Sequence, residues 1–518
     1  MRATVPHDPG LPASGGIWHK VEVEGARHGG RPRSWPGHPR RAISRRISTA
    51  RRVRLRSSVD ARLRIRFDRG TLLLDGPLAG ALPNVVWDDR TLNFRASAHR
   101  YRELRAAVPP DVPLVDEIRP RLGRQVARWA ASDLRPYQRD ALIAWAGSAR
   151  RGVIVLPTGA GKTRIALAAG AAVKGATAIL CPTRVLVGQW VDALRSVYGG
   201  EIGVLGDGEH RIEDVTVMTF ESAFRKMDAL GDRFALLVVD EVHHFGSGLR
   251  VEALEASAAP FRLGLTATAP EIETPAEAVL RDVVGPTVFA MTIGDLAGSH
   301  LAEFDVVRLR VALDPDERRR YAALVRPFLE LREDLRTADP FLDFEATMRA
   351  IGRTAAGKRA IADYQRATAL AAFPREKRRL ASTLIERHRA DKTLVFAASA
   401  IDARAVACDN LVPAITAEIV RDERDDVLGR FREGRLRCIV SARVLNEGVD
   451  IPDANVAILL GGALGVREQV QRIGRVLRPS PGKRAVVYDV ATSHTVDAER
   501  ADRKWRKLAS ASAPTVPA

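Results

Sequence analysis

The chain has 518 residues, room for three or four domains of ordinary size. Its 46% hydrophobic and 28% charged residues exclude a fibrous or disordered chain, and no apolar run reaches the ~18 residues of a membrane span. With 81 basic against 63 acidic residues the net charge is +18, which points to a polyanionic partner. Residues 1–60 hold 13 basic and 4 acidic residues, half of that excess. Only 10 basic residues are lysine, however, so the arginine richness accompanies abundant alanine and does not by itself argue nucleic-acid binding. Cys181, Cys408 and Cys438 are too few and too scattered for a disulfide framework or a zinc cluster. With no compact apolar stretch after a basic start, a soluble cytoplasmic protein is expected.

Residues 1–52 carry Pro, Gly and Arg without periodicity and are expected to be a disordered basic arm. Val59, Ala61, Leu63, Ile65 and Phe67 then alternate with Arg62, Arg64 and Arg66, the period of a half-buried strand with a basic outer face. Strand-like runs at Thr71–Leu74 and Val85–Trp87 and a helix around Ala98–Ala106 complete a small α+β domain over 53–112. From 113 to 299, apolar runs at Gly152–Leu156, Thr177–Cys181, Val215–Thr219, Ala235–Val239 and Phe261–Thr266 alternate with helical segments. That pattern predicts βαβ units and a parallel sheet covered on both faces. A second such series, Thr393–Ala397, Ala414–Thr416, Leu436–Ser441, Asn455–Leu460 and Ala485–Val490, falls within 300–495. Residues 316–372 are charged, have helical spacing and lack strand signals, so a helical insertion is expected there, with a tail at 496–518.

Leu156-Pro157-Thr158-Gly159-Ala160-Gly161-Lys162-Thr163 follows a strand and opens a helix. Glycines there let backbone N–H groups wrap phosphates at the helix N-terminus, with Lys162 reaching the β/γ-phosphates and Thr163 ligating Mg²⁺. The strict pattern has Gly where Leu156 stands. Asp240-Glu241-Val242-His243 directly follows an apolar strand; Asp240 is placed to coordinate Mg²⁺ and Glu241 to orient or deprotonate water. In Gln471-Arg472-Ile473-Gly474-Arg475-Val476-Leu477-Arg478, Arg475 and Arg478 are three apart and share a helical face, the arrangement of arginine fingers. Leu445-Asn446-Glu447-Gly448-Val449-Asp450 lies at a strand's C-terminal edge.

Taken in order, Leu134-Arg135-Pro136-Tyr137-Gln138, the PTGAGKT loop, Pro182-Thr183-Arg184, DEVH, Thr266-Ala267-Thr268, LNEGVD and QRIGRVLR resemble superfamily 2 helicases and translocases across about 134–490. DEVHH, the FRLGLTATA of Phe261–Ala269, Leu296-Ala297-Gly298 and the VDIPDANV of Val449–Val456 narrow the resemblance to the XPB-like branch of DNA-repair and transcription helicases. Gly70–Arg100, with Val86-Trp87-Asp88-Asp89-Arg90 and Phe94-Arg95-Ala96, is similar to that branch's small damage-recognition domain, and the insertion lies where the family carries its thumb. The resemblance implies two tandem RecA-like parallel-sheet domains, ATP and Mg²⁺ as cofactors, and duplex or forked DNA as partner, with a nuclease as a candidate protein partner and no membrane. It implies that Gln138, with Arg135, reads the adenine and that residues Pro157 to Thr163 bind ATP. Asp450 would touch the ribose, Gln471 would sit beside the arginines, and Pro182, Thr183 and Arg184 would meet DNA. His243, Thr266 and Thr268 would couple nucleotide state to DNA.

One departure stands out. The family commonly carries an Arg-Glu-Asp element associated with strand separation just after Thr-Ala-Thr; here Pro270-Glu271-Ile272-Glu273-Thr274 stands there, and Arg332-Glu333-Asp334 in the insertion reads as coincidence. A translocase with weak unwinding is therefore expected. Open alternatives are the motor of a restriction or phage-defence system, an RNA helicase and a non-enzymatic DNA-binding scaffold.

Overall fold

The computed structural model describes residues 62–510 except 124–125, 207, 247–248, 269–272, 297–302, 443–453 and 462–483. The expected basic arm lies outside the described residues. Three sheets follow one another along the chain.

The first comprises β1 (Leu63–Asp68), β2 (Thr71–Asp75), β3 (Val86–Asp88), β4 (Asn93–Ser97) and β5 (Leu114–Asp116), in the order β3-β4-β2-β1-β5. β1 shows the expected alternation: Leu63 and Ile65 are buried while Arg64 and Arg66 face solvent. β5 lies past residue 112 and pairs in parallel with β1; all other pairs in this sheet are antiparallel. The expected helix opens with a 3₁₀ turn at Ala98–Arg100 and continues as Tyr101–Ala107. Ala235 and Ala258 of the next lobe join this module's core. Beside that junction His99 Nε2 lies 3.3 Å from Asp282, which Arg100 also grips at 2.7 Å.

The second sheet contains β6 (Arg151–Val155), β7 (Thr177–Cys181), β8 (Ile202–Gly206), β9 (Glu209–Arg211), β10 (Val215–Thr219), β11 (Leu236–Val239), β12 (Phe261–Thr266) and β13 (Thr287–Ala290). Its order is β13-β6-β12-β11-β7-β10-β8-β9, parallel except for the β8–β9 hairpin. The third contains β14 (Glu303–Val311), β15 (Thr393–Ala397), β16 (Ala414–Ile415), β17 (Cys438–Ala442), β18 (Val456–Leu459) and β19 (Arg484–Thr492), in the order β14-β19-β18-β15-β17-β16 and parallel throughout. Predominantly apolar strands such as β7, β11, β15 and β17 are buried along their whole length, as helices on both faces require. The fold is α/β, with two tandem parallel-sheet lobes.

Between β14 and β15 three helices, Pro315–Ala338, Phe344–Ile351 and Ala355–Ala372, form the insertion, with no strand among its described residues. Asp314 and Glu317 close a reciprocal capping box at its start, where Pro315 at the first helical position fits. Its core centres on Phe328 stacked on Tyr364, centroids 4.1 Å apart. Val496–Ser510, expected as a tail, is a 15-residue helix. It is held by Trp505 Nε1 donating to Asp489 at 2.6 Å and by a buried ion pair between Lys377 and Asp497 at 2.7 Å.

Candidate nucleotide-binding site

The site assembles at the carboxyl ends of β6, β7, β11 and β12, where an open parallel sheet leaves a crevice for ligands. Gly159 and Gly161 take positive φ, +86° and +79°, a conformation glycine adopts without a Cβ penalty. The loop thereby turns back on itself before the helix Lys162–Val173. Leu156 explains its own departure from glycine. Its side chain is fully buried in the lobe's core, and its N–H donates to Thr266 O at 3.0 Å, so the position belongs to the end of the sheet.

Lys162 Nζ donates to the carbonyls of Leu156 at 3.0 Å and Pro157 at 3.4 Å, close enough to Asp240 to favour that carboxylate's charged form. Asp240 is buried, which pushes its pKa up; Lys162, the Trp190 indole and the Glu241 N–H pull the other way. Trp190 Nε1 donates to Oδ2 at 3.1 Å and the Glu241 N–H to Oδ1 at 3.0 Å. Such a carboxylate, fixed in orientation beside a phosphate loop, has the donor chemistry that Mg²⁺ requires, with the Thr163 hydroxyl one residue after Lys162. The residues present fit ATP and Mg²⁺.

Glu241 itself has φ +48° and ψ +48°, a left-handed backbone that costs a non-glycine residue roughly 1–2 kcal/mol. Glu241 Oε2 lies 3.5 Å from His243 Nδ1. The same ring nitrogen is 3.1 Å from Thr266 Oγ1, which donates to Thr268 O at 3.1 Å and accepts from Thr268 N at 3.3 Å. The His243 ring is thus hydrogen-bonded to the Thr266-Ala267-Thr268 segment, with the Glu241 carboxylate beside it at ion-pair distance.

Gln138 is 1% exposed and already engaged: Nε2 donates to Ala160 O at 2.9 Å and Oε1 accepts from Arg135 N at 3.0 Å. Tyr137 OH donates to the same Ala160 carbonyl at 2.6 Å. The pair splints the phosphate loop, so adenine contact by Gln138 would share an amide that also holds that loop. Thr183 caps the helix Arg184–Arg195, accepting from Leu186 N at 3.4 Å, while Arg184 is exposed. Asp450, Gln471, Arg475 and Arg478 lie outside the described residues, as do Glu271 and Ile272; Glu273 is described and has φ +63°.

Two participants escaped the sequence reading. Trp190 stands in an apolar stripe with Val187, Val191 and Leu194 and reads as core; its buried indole N–H, which needs an acceptor, was the available signal. Tyr137 stands next to Gln138 inside the segment already singled out.

Residues 131–271 match the family described as type III restriction enzyme, res subunit, and residues 376–480 the helicase conserved C-terminal domain; the two lobes are those of a helicase. Residues 65–117 match the xeroderma pigmentosum group B helicase damage recognition domain. A DNA 3'-5' translocase XPB2 of Sulfurisphaera tokodaii is 32% identical over 439 residues, covering 84% of this chain and 97% of the relative. The DNA 3'-5' helicase XPB of Mycobacterium tuberculosis is 29% identical over 73% of this chain and 64% of its own. The general transcription and DNA repair factor IIH helicase/translocase subunit XPB of Schizosaccharomyces pombe is 25% identical over 75% of this chain and 46% of its own. The chain belongs to the XPB family of DNA helicases and translocases.

Proposed function

We propose that this chain is an ATP-dependent DNA translocase and helicase of the XPB type, acting in DNA repair, which couples ATP hydrolysis to movement on DNA. The observation that carries the reading is the convergence of Lys162, Asp240, Glu241, His243 and Thr266 at one sheet edge. Lys162 leaves its two carbonyls for the β/γ-phosphates, and the loop's N–H groups cradle them. Thr163 and Asp240 would hold Mg²⁺, which would supply charge neutralisation at the phosphoryl oxygens. Glu241 orients water and accepts its proton, and His243 passes its position to Thr266. Arg475 and Arg478 act from the second lobe on charge in the transition state, with Gln471 beside them, while Asp450 contacts the ribose and Gln138 the adenine. Pro182, Thr183 and Arg184 meet the DNA backbone.

The match of residues 65–117 to a damage recognition domain supports the repair branch over a restriction or phage-defence motor, whose likeness is confined to 131–271. Among the described residues no helix is long and apolar enough to cross a membrane. The test is a panel of ATPase stimulation by duplex DNA, single-stranded DNA and RNA, run beside triplex displacement for translocation and forked-duplex opening for unwinding. Duplex-stimulated turnover with strong triplex displacement and weak fork opening is expected. Stimulation by RNA alone, or turnover unaffected by any nucleic acid, would overturn the proposal.

A further inference from the structure

β14 and β19 are neighbours in the third sheet and run parallel, so their carboxyl ends emerge side by side. One leads into the helical insertion and the other into the helix Val496–Ser510. Between these lies a groove of about 800 Å³. Tyr321, Val325 and Tyr364 are among its buried lining residues, and Phe344, 55% exposed, stands at its edge. Phe344 is the first residue of its helix, whose start is fixed by Asp343 accepting from Ala346 N at 2.7 Å.

Two kinds of arginine mark the insertion and the C-terminal helix beside it. Arg319, Arg326, Arg349 and Arg366 point outward, and each is paired with a carboxylate three or four residues away. Arg332, Arg500 and Arg503 line the groove and join no ion pair among the described residues. The Nε of Arg332 is buried without a hydrogen-bond partner, a donor that a bound acceptor would satisfy. Glu499 is the acid among the lining residues. Unpaired guanidinium groups along a groove with an aromatic ring at its edge are the arrangement that single-stranded nucleic acid uses, phosphates on the cations and a base on the ring. An acidic peptide would satisfy the arginines but leave the stacking surface of Phe344 unexplained.

We infer that the groove between the helical insertion and the C-terminal helix binds single-stranded DNA, with Arg332, Arg500 and Arg503 on its phosphates and Phe344 stacking a base. This rests on the reading of the chain as a DNA motor and adds to it a path for the strand the motor does not track.

The test is fluorescence anisotropy of a labelled oligothymidylate, titrated with the full-length protein in a series of salt concentrations without nucleotide. Each single-strand phosphate contact contributes ~0.7 to the slope of log affinity against log salt. The double variant Arg332→Gln/Arg503→Gln is expected to lower the slope by about 1.4. The control Arg326→Ala/Arg349→Ala, which removes carboxylate-paired outward arginines, is expected to leave the slope at its wild-type value. Phe344→Ala is expected to weaken binding by roughly fivefold or more, and Phe344→Trp to restore it. Thermal unfolding of each variant checks that it folds. An unchanged slope in the groove variant, equal slopes in both double variants, or loss of binding to a polyglutamate peptide alone would overturn the inference. Absence of DNA-stimulated ATPase in the wild type would instead overturn the proposed function, so the two failures are distinguishable.

Discussion

Trp190 and Asp240 are joined by a single hydrogen bond, the indole N–H to the carboxylate Oδ2 at 3.1 Å, both side chains buried. The helix after β7 thereby sets the orientation of a carboxylate after β11. Outer partners of this kind are typically worth 10–100-fold in metal affinity or activity.

Trp190→Phe keeps most of the volume and removes the donor. Turnover is expected to fall roughly tenfold or more, with a higher Mg²⁺ requirement, and stability by about 1–3 kcal/mol. A Mg²⁺ titration of ATPase rate measures it. Unchanged Mg²⁺ dependence at reduced stability would return Trp190 to a purely packing role.

Glu241 combines the proposed water-orienting role with a left-handed backbone. Glu241→Gln should abolish hydrolysis while ATP still binds, whereas Lys162→Ala should weaken nucleotide binding itself. Glu241→Asn, whose short side chain tolerates this backbone, is expected to be equally inactive yet more stable than wild type by up to about 1 kcal/mol. Calorimetry beside turnover reads both. A destabilised Asn variant would mean that the strain is not relieved there.

Arg475→Ala and Arg478→Ala are expected to lower the hydrolysis rate by far more than ATP affinity, because the contact is made chiefly in the transition state. Lysine should not rescue fully, lacking the planar fork. Stopped-flow nucleotide binding and single-turnover hydrolysis separate the two quantities. A variant with wild-type turnover would make that arginine a solvated surface residue.

His99 carries the expected pH dependence. Burial, then Arg262 and Arg100, lower its pKa to about 4 from the usual 6.5, against the opposing pull of Asp282. The folded state therefore prefers the neutral ring. Its contribution is complete above about pH 6.5 and is lost as pH falls toward 4, with an upper limit of roughly 3 kcal/mol. Tm should fall across that window, and His99→Gln should flatten the fall. An identical pH profile in the variant would exclude His99 as its source.

The motor lobes were legible because their strands are continuous apolar runs: β7, β10, β12 and β15 lie where the runs predicted. β8 was missed because Gly203 and Gly206 interrupt Ile202, Val204 and Leu205, and β14 because Asp305, Arg308 and Arg310 leave this edge strand no continuous apolar run like those that marked the buried strands. β5 follows the proline stretch at Pro109, Pro110 and Pro113 that reads as a break. At the site, motif order pointed to Lys162, Asp240 and Glu241, since spacing along the chain encodes it. The contacts that steady them, from Trp190 and Tyr137, join residues 50 and 23 positions apart, and no local pattern encodes such pairings.

The placement of β14 bears on how the protein is made. Glu303 pairs with Arg484, so this strand, first of its sheet to leave the ribosome, waits roughly 180 residues for its neighbour β19. At about 5–20 residues per second that is on the order of ten to forty seconds with an unpaired edge bearing Val306, Val307, Leu309 and Val311. Strands of the first lobe wait less: β6 meets β12 after about 110 residues, Arg151 opposite Arg262. The second lobe is then the one with an apolar strand edge exposed longest during synthesis.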